Sequence, residues 1–172
     1  VNDLAYTAKR LLAEGVVNKV LIFDLDVHQG DGTASILENE PNAFTCSIHC
    51  EKNFPFRKYS SDLDVGLDIG LQDKEYLSVV MDTFEMLIEK EQPDLVLYDA
   101  GADVWQEDVL GRLDISWQGI YERDSLVIKH CLNNNIPVAT VIGGGYDKDH
   151  ERLAQRHAIV VEAAFEQYKT FC

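Results

Sequence analysis

The run Val20-Leu21-Ile22-Phe23-Asp24-Leu25-Asp26-Val27-His28-Gln29-Gly30-Asp31-Gly32-Thr33 sets carboxylates and an imidazole at the mouth of an apolar segment. In extended chain alternate side chains share a face, so Asp24, Asp26 and His28 project to one side and Leu25 and Val27 to the other. Burying such a group is costly unless the charges are neutralised or paired. A divalent cation replaces carboxylate repulsion with coordination bonds. Gly30 and Gly32 then permit a sharp turn into a short helix capped by Thr33. The plain alternative is a loop that begins at Asp24 and leaves His28 solvated, and the motif alone does not decide between the two.

Two more polar clusters follow apolar runs. Asp99-Ala100-Gly101-Ala102-Asp103 comes after Leu95-Val96-Leu97-Tyr98, and Gly143-Gly144-Gly145-Tyr146 comes after Ala139-Thr140-Val141-Ile142. Asp26, His28 and Asp103 offer hard or borderline ligands without cysteine and leave a position for water, as a hydrolytic metal requires. Tyr146, carried on glycines, can donate a hydrogen bond to a developing oxyanion. Each cluster also has an ordinary reading: Asp103 as a turn residue in a loop that also holds Asp108 and Asp114, the glycines as a tight turn, Tyr146 as a packing aromatic. Three such clusters at strand ends of one sheet favour a site, because ligands of open parallel sheets bind beyond the carboxyl ends of strands.

The elements that would position them alternate along the chain. Asn2 or Asp3 caps a helix with Leu4, Ala8, Leu11 and Leu12 inward, stopped at Gly15. Strands are expected at 19–24, 43–48, 94–98 and 137–142, and residues 51–72 read as irregular. Asp73 caps a long helix with Leu77, Val80, Phe84, Leu87 and Ile88 on one face. Ser116 caps another with Ile120, Val127, Ile128 and Cys131 inward. A last helix carries Leu153, His157, Val160, Val161, Ala164, Phe165 and Tyr168 as its apolar stripe, which makes His157 a core histidine rather than a ligand. Continuous apolar strands alternating with amphipathic helices predict one α/β domain, a parallel sheet with helices on both faces.

The chain has 172 residues, with Lys plus Arg at 15 against Asp plus Glu at 30 and a net charge of −15. That surface repels phosphates and anionic lipid, so direct binding to nucleic acid or membrane is not expected. No apolar run approaches the roughly 20 residues of a membrane span. Cys46, His49 and Cys50 lack the second ligand pair of a zinc knuckle. Reduced structural thiols in a cytoplasmic protein are the simpler reading of the cysteines.

With these residues in view, the chain resembles the carboxyl-terminal part of the histone deacetylase superfamily, its deacetylase-like domain continuing over 1–172. The resemblance rests on 24–33, Ser47-Ile48-His49, Tyr98-Asp99-Ala100-Gly101-Ala102-Asp103 with Leu110-Gly111-Arg112-Leu113, and Gly143-Gly144-Gly145-Tyr146, in the family's order. Gln29, where many relatives carry a second histidine, is similar to the class IV and bacterial-type branch. The resemblance implies an arginase/deacetylase-like sheet, incomplete at its amino-terminal side. It implies Zn²⁺ held by Asp26, His28 and Asp103, with Tyr146 polarising the amide carbonyl. Asp24 with Ser47 matches a structural K⁺ site, and Asp24 and Asp31 match acids that orient two active-site histidines. Phe54, before Pro55, matches a wall of the acyl-lysine tunnel, although Phe56, Arg57 and Lys58 stand where the family has glycines.

The implied activity is zinc-dependent hydrolysis of an acetyl or other acyl amide on a lysine side chain or a polyamine. The family's tandem histidines, its general base and partner, have no counterpart here; the first histidine is His28. The chain alone is therefore expected to be inactive, to expose a strand edge, and to self-associate. Two alternatives stay open. One is a two-manganese ureohydrolase, disfavoured by Ala102 and Val104 flanking Asp103; the other is a non-catalytic metal-binding module.

Overall fold

The computed structural model describes residues 2–171. Its elements are α1 (Asp3–Ala13), β1 (Val20–Asp24), α2 (Asp31–Leu37), β2 (Ala43–Cys50), β3 (Leu63–Leu67), α3 (Asp73–Glu91), β4 (Leu95–Asp99), α4 (Trp117–Asn133), β5 (Val138–Val141) and α5 (His150–Phe171). The strands form one all-parallel sheet in the order β3-β2-β1-β4-β5. The expected α/β architecture is thus the observed one.

Side chains of β1 alternate between two cores. Leu21 and Phe23 join Val96 and Tyr98 of β4 under α3, α4 and α5. Val20 and Ile22 join Leu97 against Leu4 and Ala8 of α1 and Leu37 of α2. Burial on both faces is why these strands read as unbroken apolar runs. The sheet grows from β1 towards β3, and then the chain crosses back to add β4 and β5 on the other side. Where the direction reverses, between β1 and β4, the loops leaving the strands diverge and open a crevice.

Several local expectations hold. Asn2 Oδ1 accepts from the Ala5 N–H at 2.8 Å and caps α1, and Gly15 ends that region in the left-handed conformation at φ +67°. Ser116 Oγ accepts from the Gly119 N–H at 3.0 Å and caps α4.

Others need correction. Thr33 lies inside α2, whose N-cap is Gly30; its hydroxyl instead accepts from Asn2 Nδ2 at 2.8 Å, joining α2 to the head of α1. Asp73 is the first residue of α3 rather than its cap. Its carboxylate accepts from the Ser116 N–H at 2.8 Å and hydroxyl at 2.5 Å, so it ties the heads of α3 and α4 together. The segment 51–72 is not wholly irregular. It contains β3, where Leu63, Val65 and Leu67 turn inward while Asp64 and Gly66 face solvent. That is a half-polar edge strand, which an apolar-run reading passes over.

The apolar stripe of α5 is also rotated. Its buried side is Arg156, Ile159, Val160 and Ala163, whereas Val161, Phe165 and Tyr168 are 62%, 57% and 62% exposed. The helix lies on α4 and on Trp105, so its inward face is set by those neighbours. His157 is half-buried, with its ring against Gly145.

Candidate active site

The crevice between β1 and β4 gathers the polar clusters. Beyond β1 the chain stays extended enough that Leu25 and Val27 remain fully buried while Asp26 and His28 face the opposite side. Asp24 Oδ1 accepts from the Asp26 N–H at 2.9 Å, and Asp26 Oδ1 accepts from the His28 N–H at 2.8 Å. Each acid thereby braces the backbone of the next polar residue. From β4, Asp103 arrives fully buried, its Oδ1 accepting from the Val27 N–H at 2.8 Å. From β5, the Gly144 N–H donates to Asp26 Oδ2 at 2.6 Å and the Gly144 carbonyl accepts from the Ala102 N–H at 2.6 Å. Three strand-end loops thus interlock through one set of acids.

Asp26, His28 and Asp103 each present a ligand atom, and these lie within 4.8 Å of one another, the set that the sequence singles out. His28 Nδ1 is 3.1 Å from both Asp26 Oδ1 and Asp103 Oδ2. Hydrogen bonds to Asp103 and Asp26 raise this imidazole to about 10. Burial pushes Asp103 up to about 7 against its bond to His28. Burial also works to raise Asp26, but bonds from His28, Asp103 and the Gly144 N–H outweigh it and hold the carboxyl below its ordinary value. Asp24 is raised well above the carboxylate range by burial and by Asp99 and Asp26. Burial, with Asp26 and Asp103 nearby, brings Asp99 to about 7. Burial and mutual repulsion thus keep protons on this group of four acids and one imidazole, and a divalent cation suits the place those protons hold. The backbone is shaped around the same atoms. A Cβ on Gly144 would overlap carboxylate oxygens of Asp103 and Asp26, and one on Gly101 would stand 2.5 Å from Asp26 Cα.

Asp26 and His28 form the floor of a cavity of about 550 Å³, with Asn53, Phe54, Leu110 and Tyr146 among its walls. The Phe54 ring meets His28 edge-on at 6.4 Å between centroids, and Phe54 is 59% exposed at the mouth. Tyr146 is half-exposed; burial and the charges of Asp26, Asp103 and Asp108 raise its phenol.

The remaining candidates are placed less directly. Ser47 pairs in register with Asp24 across β1 and β2, but its hydroxyl is bonded to His49 Nδ1 at 3.0 Å. Asp31 is exposed, its carboxylate accepting from the Gly32 N–H at 2.9 Å; it borders a second cavity with Asp24 and Asp99, behind the cluster. Gln29 is buried and pins the segment before β3, donating to the Tyr59 carbonyl at 2.6 Å and Asp64 Oδ1 at 2.8 Å.

Three participants carry no role in the sequence reading. Asp99 has a buried, unpartnered Oδ1. Arg123, fully buried, donates from Nη1 to the Gly101 carbonyl at 2.7 Å and from Nε to Asp124 Oδ1 at 2.8 Å. Arg156, also fully buried, reaches Asp147 Oδ2 at 3.2 Å and Asp108 Oδ2 at 3.4 Å. The signal for both arginines was their place inside inward helical stripes, Arg123 between Ile120 and Val127 and Arg156 before Ile159 and Val160.

The histone deacetylase domain family model matches residues 1–164. An uncharacterised protein of Picosynechococcus sp. is 47% identical over 98% of this chain and 56% of its own length. Histone deacetylase 2 of Arabidopsis thaliana is 33% identical over 80% of this chain and 36% of its own length. The acetoin utilization protein AcuC of Staphylococcus aureus is 31% identical over 85% and 41%. The chain thus spans little more than half, or less, of these curated relatives. By the extent of the family match and its motifs' place around one crevice, this chain belongs to the histone deacetylase domain family.

Proposed function

We propose that the protein containing this chain is a zinc-dependent amide hydrolase that removes acetyl or other acyl groups from lysine side chains or polyamines. The observation that carries this reading is the convergence of Asp26, His28 and the fully buried Asp103 beside a cavity that Asp26, His28 and Tyr146 line. Asp26, His28 and Asp103 would hold the metal, two carboxylates cancelling its charge. When bound, zinc supplies the Lewis acidity that activates water and polarises an amide carbonyl. Tyr146 donates its hydroxyl hydrogen to the substrate oxygen as negative charge develops there. Phe54 and Leu110 flank the acyl-bearing stem and exclude water from it.

The reading extends to a structural potassium ion beside Asp24 and Ser47, supported by the crowding of buried carboxyls there. Asp31, bordering the cavity behind Asp24, is proposed to orient an incoming imidazole. Among the described residues lining the main cavity, the one histidine is His28, which the metal would occupy. The proton acceptor is therefore proposed to come from outside residues 2–171, and this chain alone to bind metal without turnover. A cytoplasmic location is proposed from the buried free thiols of Cys46, Cys50 and Cys131. That no free imidazole lines the cavity among the described residues favours one second reading, a metal-binding module without catalysis.

Elemental analysis of this chain and its Asp26→Ala, His28→Ala and Asp103→Ala variants is the first test. One zinc per chain is expected, lost in each variant; zinc retained by Asp103→Ala would overturn the ligand assignment. Assay of the full-length protein on an acetyl-lysine peptide and an acetylpolyamine separates the two readings. Turnover of either supports the hydrolase, and turnover of neither supports the module.

A further inference from the structure

Tyr146 stands at the end of three glycines, a backbone with no side chains to fix it. Yet both of its main-chain polar groups are held. Its N–H donates to Asp108 Oδ2 at 2.7 Å, and its carbonyl accepts from Arg156 Nη2 at 3.2 Å. Asp108 and Arg156 also face each other at 3.4 Å, with no side-chain exposure on either. Arg156 lies over Trp105, its guanidinium carbon 4.1 Å from the ring centroid, and reaches Asp147 Oδ2 at 3.2 Å. The second oxygen of Asp108 accepts from the N–H groups of Leu110 and Gly111, both at 2.9 Å. One carboxylate therefore shapes the loop that brings Leu110 to the cavity wall and fixes the residue opposite it.

A buried ion pair by itself says little about stability, because desolvation offsets the attraction. What distinguishes this pair is where its hydrogen bonds end, on the N–H and the carbonyl of a single residue at the cavity. We infer that Asp108 and Arg156 are positioning residues for Tyr146, clamping its main chain so that the hydroxyl is held over the cavity floor. The inference rests on the amide hydrolase reading of the site. Its physical content is preorganisation: a donor that must order itself at the moment of reaction stabilises the developing oxyanion less than one already in place.

The test is a double-mutant cycle in the full-length protein. Asp108→Asn cannot accept at both oxygens, and Arg156→Lys keeps the charge but loses the planar fork. Each is expected to lower kcat on the order of 10- to 100-fold, the scale of a small misplacement, with KM changed less than about threefold and zinc content unchanged. In the Tyr146→Phe background, where the hydroxyl is already gone, the same substitutions should cost under about threefold, since residues acting as a unit are not additive. Equal losses in both backgrounds, or loss of zinc, would make the pair merely structural and overturn the inference. Hydrogen exchange gives a readout independent of turnover. The Tyr146 amide should be protected in the parent protein and lose protection in Asp108→Asn, while amides of β1 stay protected; an unchanged Tyr146 amide overturns the clamp. If Arg156→Lys does not fold, Asp108→Asn carries the cycle, and if neither folds the pair is structural. An inactive unmutated protein overturns the hydrolase reading and the clamp's catalytic meaning together, whereas an active protein indifferent to Asp108→Asn overturns the clamp alone.

Discussion

The two largest fully buried side chains among the described residues are both arginines, and they keep different company. Arg123 pairs with Asp124, its neighbour on α4, and that carboxylate also accepts from the Tyr98 hydroxyl at 2.5 Å. Its other bonds reach the Tyr76 hydroxyl at 3.4 Å and the carbonyls of Gly101 at 2.7 Å and Leu25 at 3.4 Å, the last two in the turns that carry Asp103 and Asp26. Arg156 pairs instead with acids from two loops, Asp108 and Asp147, and its backbone contact is to the glycine-borne Tyr146. One arginine braces turns at the ends of rigid strands; the other braces a loop with little stiffness of its own. The contrast separates a part of the site that follows from the sheet from a part that must be held by side chains.

The largest effect should fall on the first region. Arg123→Met leaves Asp124 buried without its partner, and breaking such a pair costs on the order of 3–5 kcal/mol. Urea denaturation should show that loss, and adding Asp124→Asn should recover part of it. An Arg123→Met protein of near-normal stability would erase the distinction between the two arginines.

Next in size is the residue that the second region carries. In full-length protein Tyr146→Phe keeps the ring and loses the donor, a change worth on the order of 10²–10³ in kcat. KM should move less, because the donor matters most as charge develops. A near-normal kcat would reduce Tyr146 to a packing residue.

A smaller effect probes the acids beneath the strand ends. Asp99 sits at about 7 when folded, against about 3.9 in an unfolded chain. Between those values the folded chain holds a proton that the unfolded chain lacks, so stability falls as pH rises from about 4 to about 7. In chelator, Asp99→Asn should flatten part of that slope in urea midpoints taken across the range. An unchanged slope would show that Asp99 ionises normally.

The smallest effect belongs to Arg152, which stacks on Trp105 at 4.9 Å beside Arg156 and pairs with Asp147 and Glu107. Its side chain is 42% exposed, so Arg152→Ala should cost less than about 1 kcal/mol. A larger loss would mean that the loop depends on its surface charges as well as on the buried pair.

How far the sequence discloses all this follows the same division. Asp26, His28 and Asp103 were legible because each follows an unbroken apolar strand, and a parallel sheet sends such ends to one side. Phe54 and Tyr146 could be tied to the site through motifs, and both line the cavity. Edge strand β3 was obscured because its outward residues, Asp64 and Gly66, read as loop. The stripe of α5 differs from the expected one because an apolar repeat does not say which neighbour it meets; Trp105 and α4 select a face one position round. Ser47 and Asp31 have the right types, but their side chains are engaged with His49 and Gly32. Arg123 and Arg156 are not legible as buried because arginine is ordinarily exposed, although each stands in an inward stripe. Ile142, Val161, Phe165 and Tyr168 are exposed apolar side chains, the kind of surface from which self-association of this chain is proposed.

The switch in strand order has a kinetic consequence. Along the chain β2, β3 and α3 separate residues 26–28 from 103, and it is the pairing of β4 with β1 that brings them together. Their contact closes a loop of 75 residues between His28 and Asp103, a long-range event that comes late in assembly. If this set takes the proposed metal, capture would report that event: zinc uptake during refolding should lag helix formation and coincide with docking of the central strands.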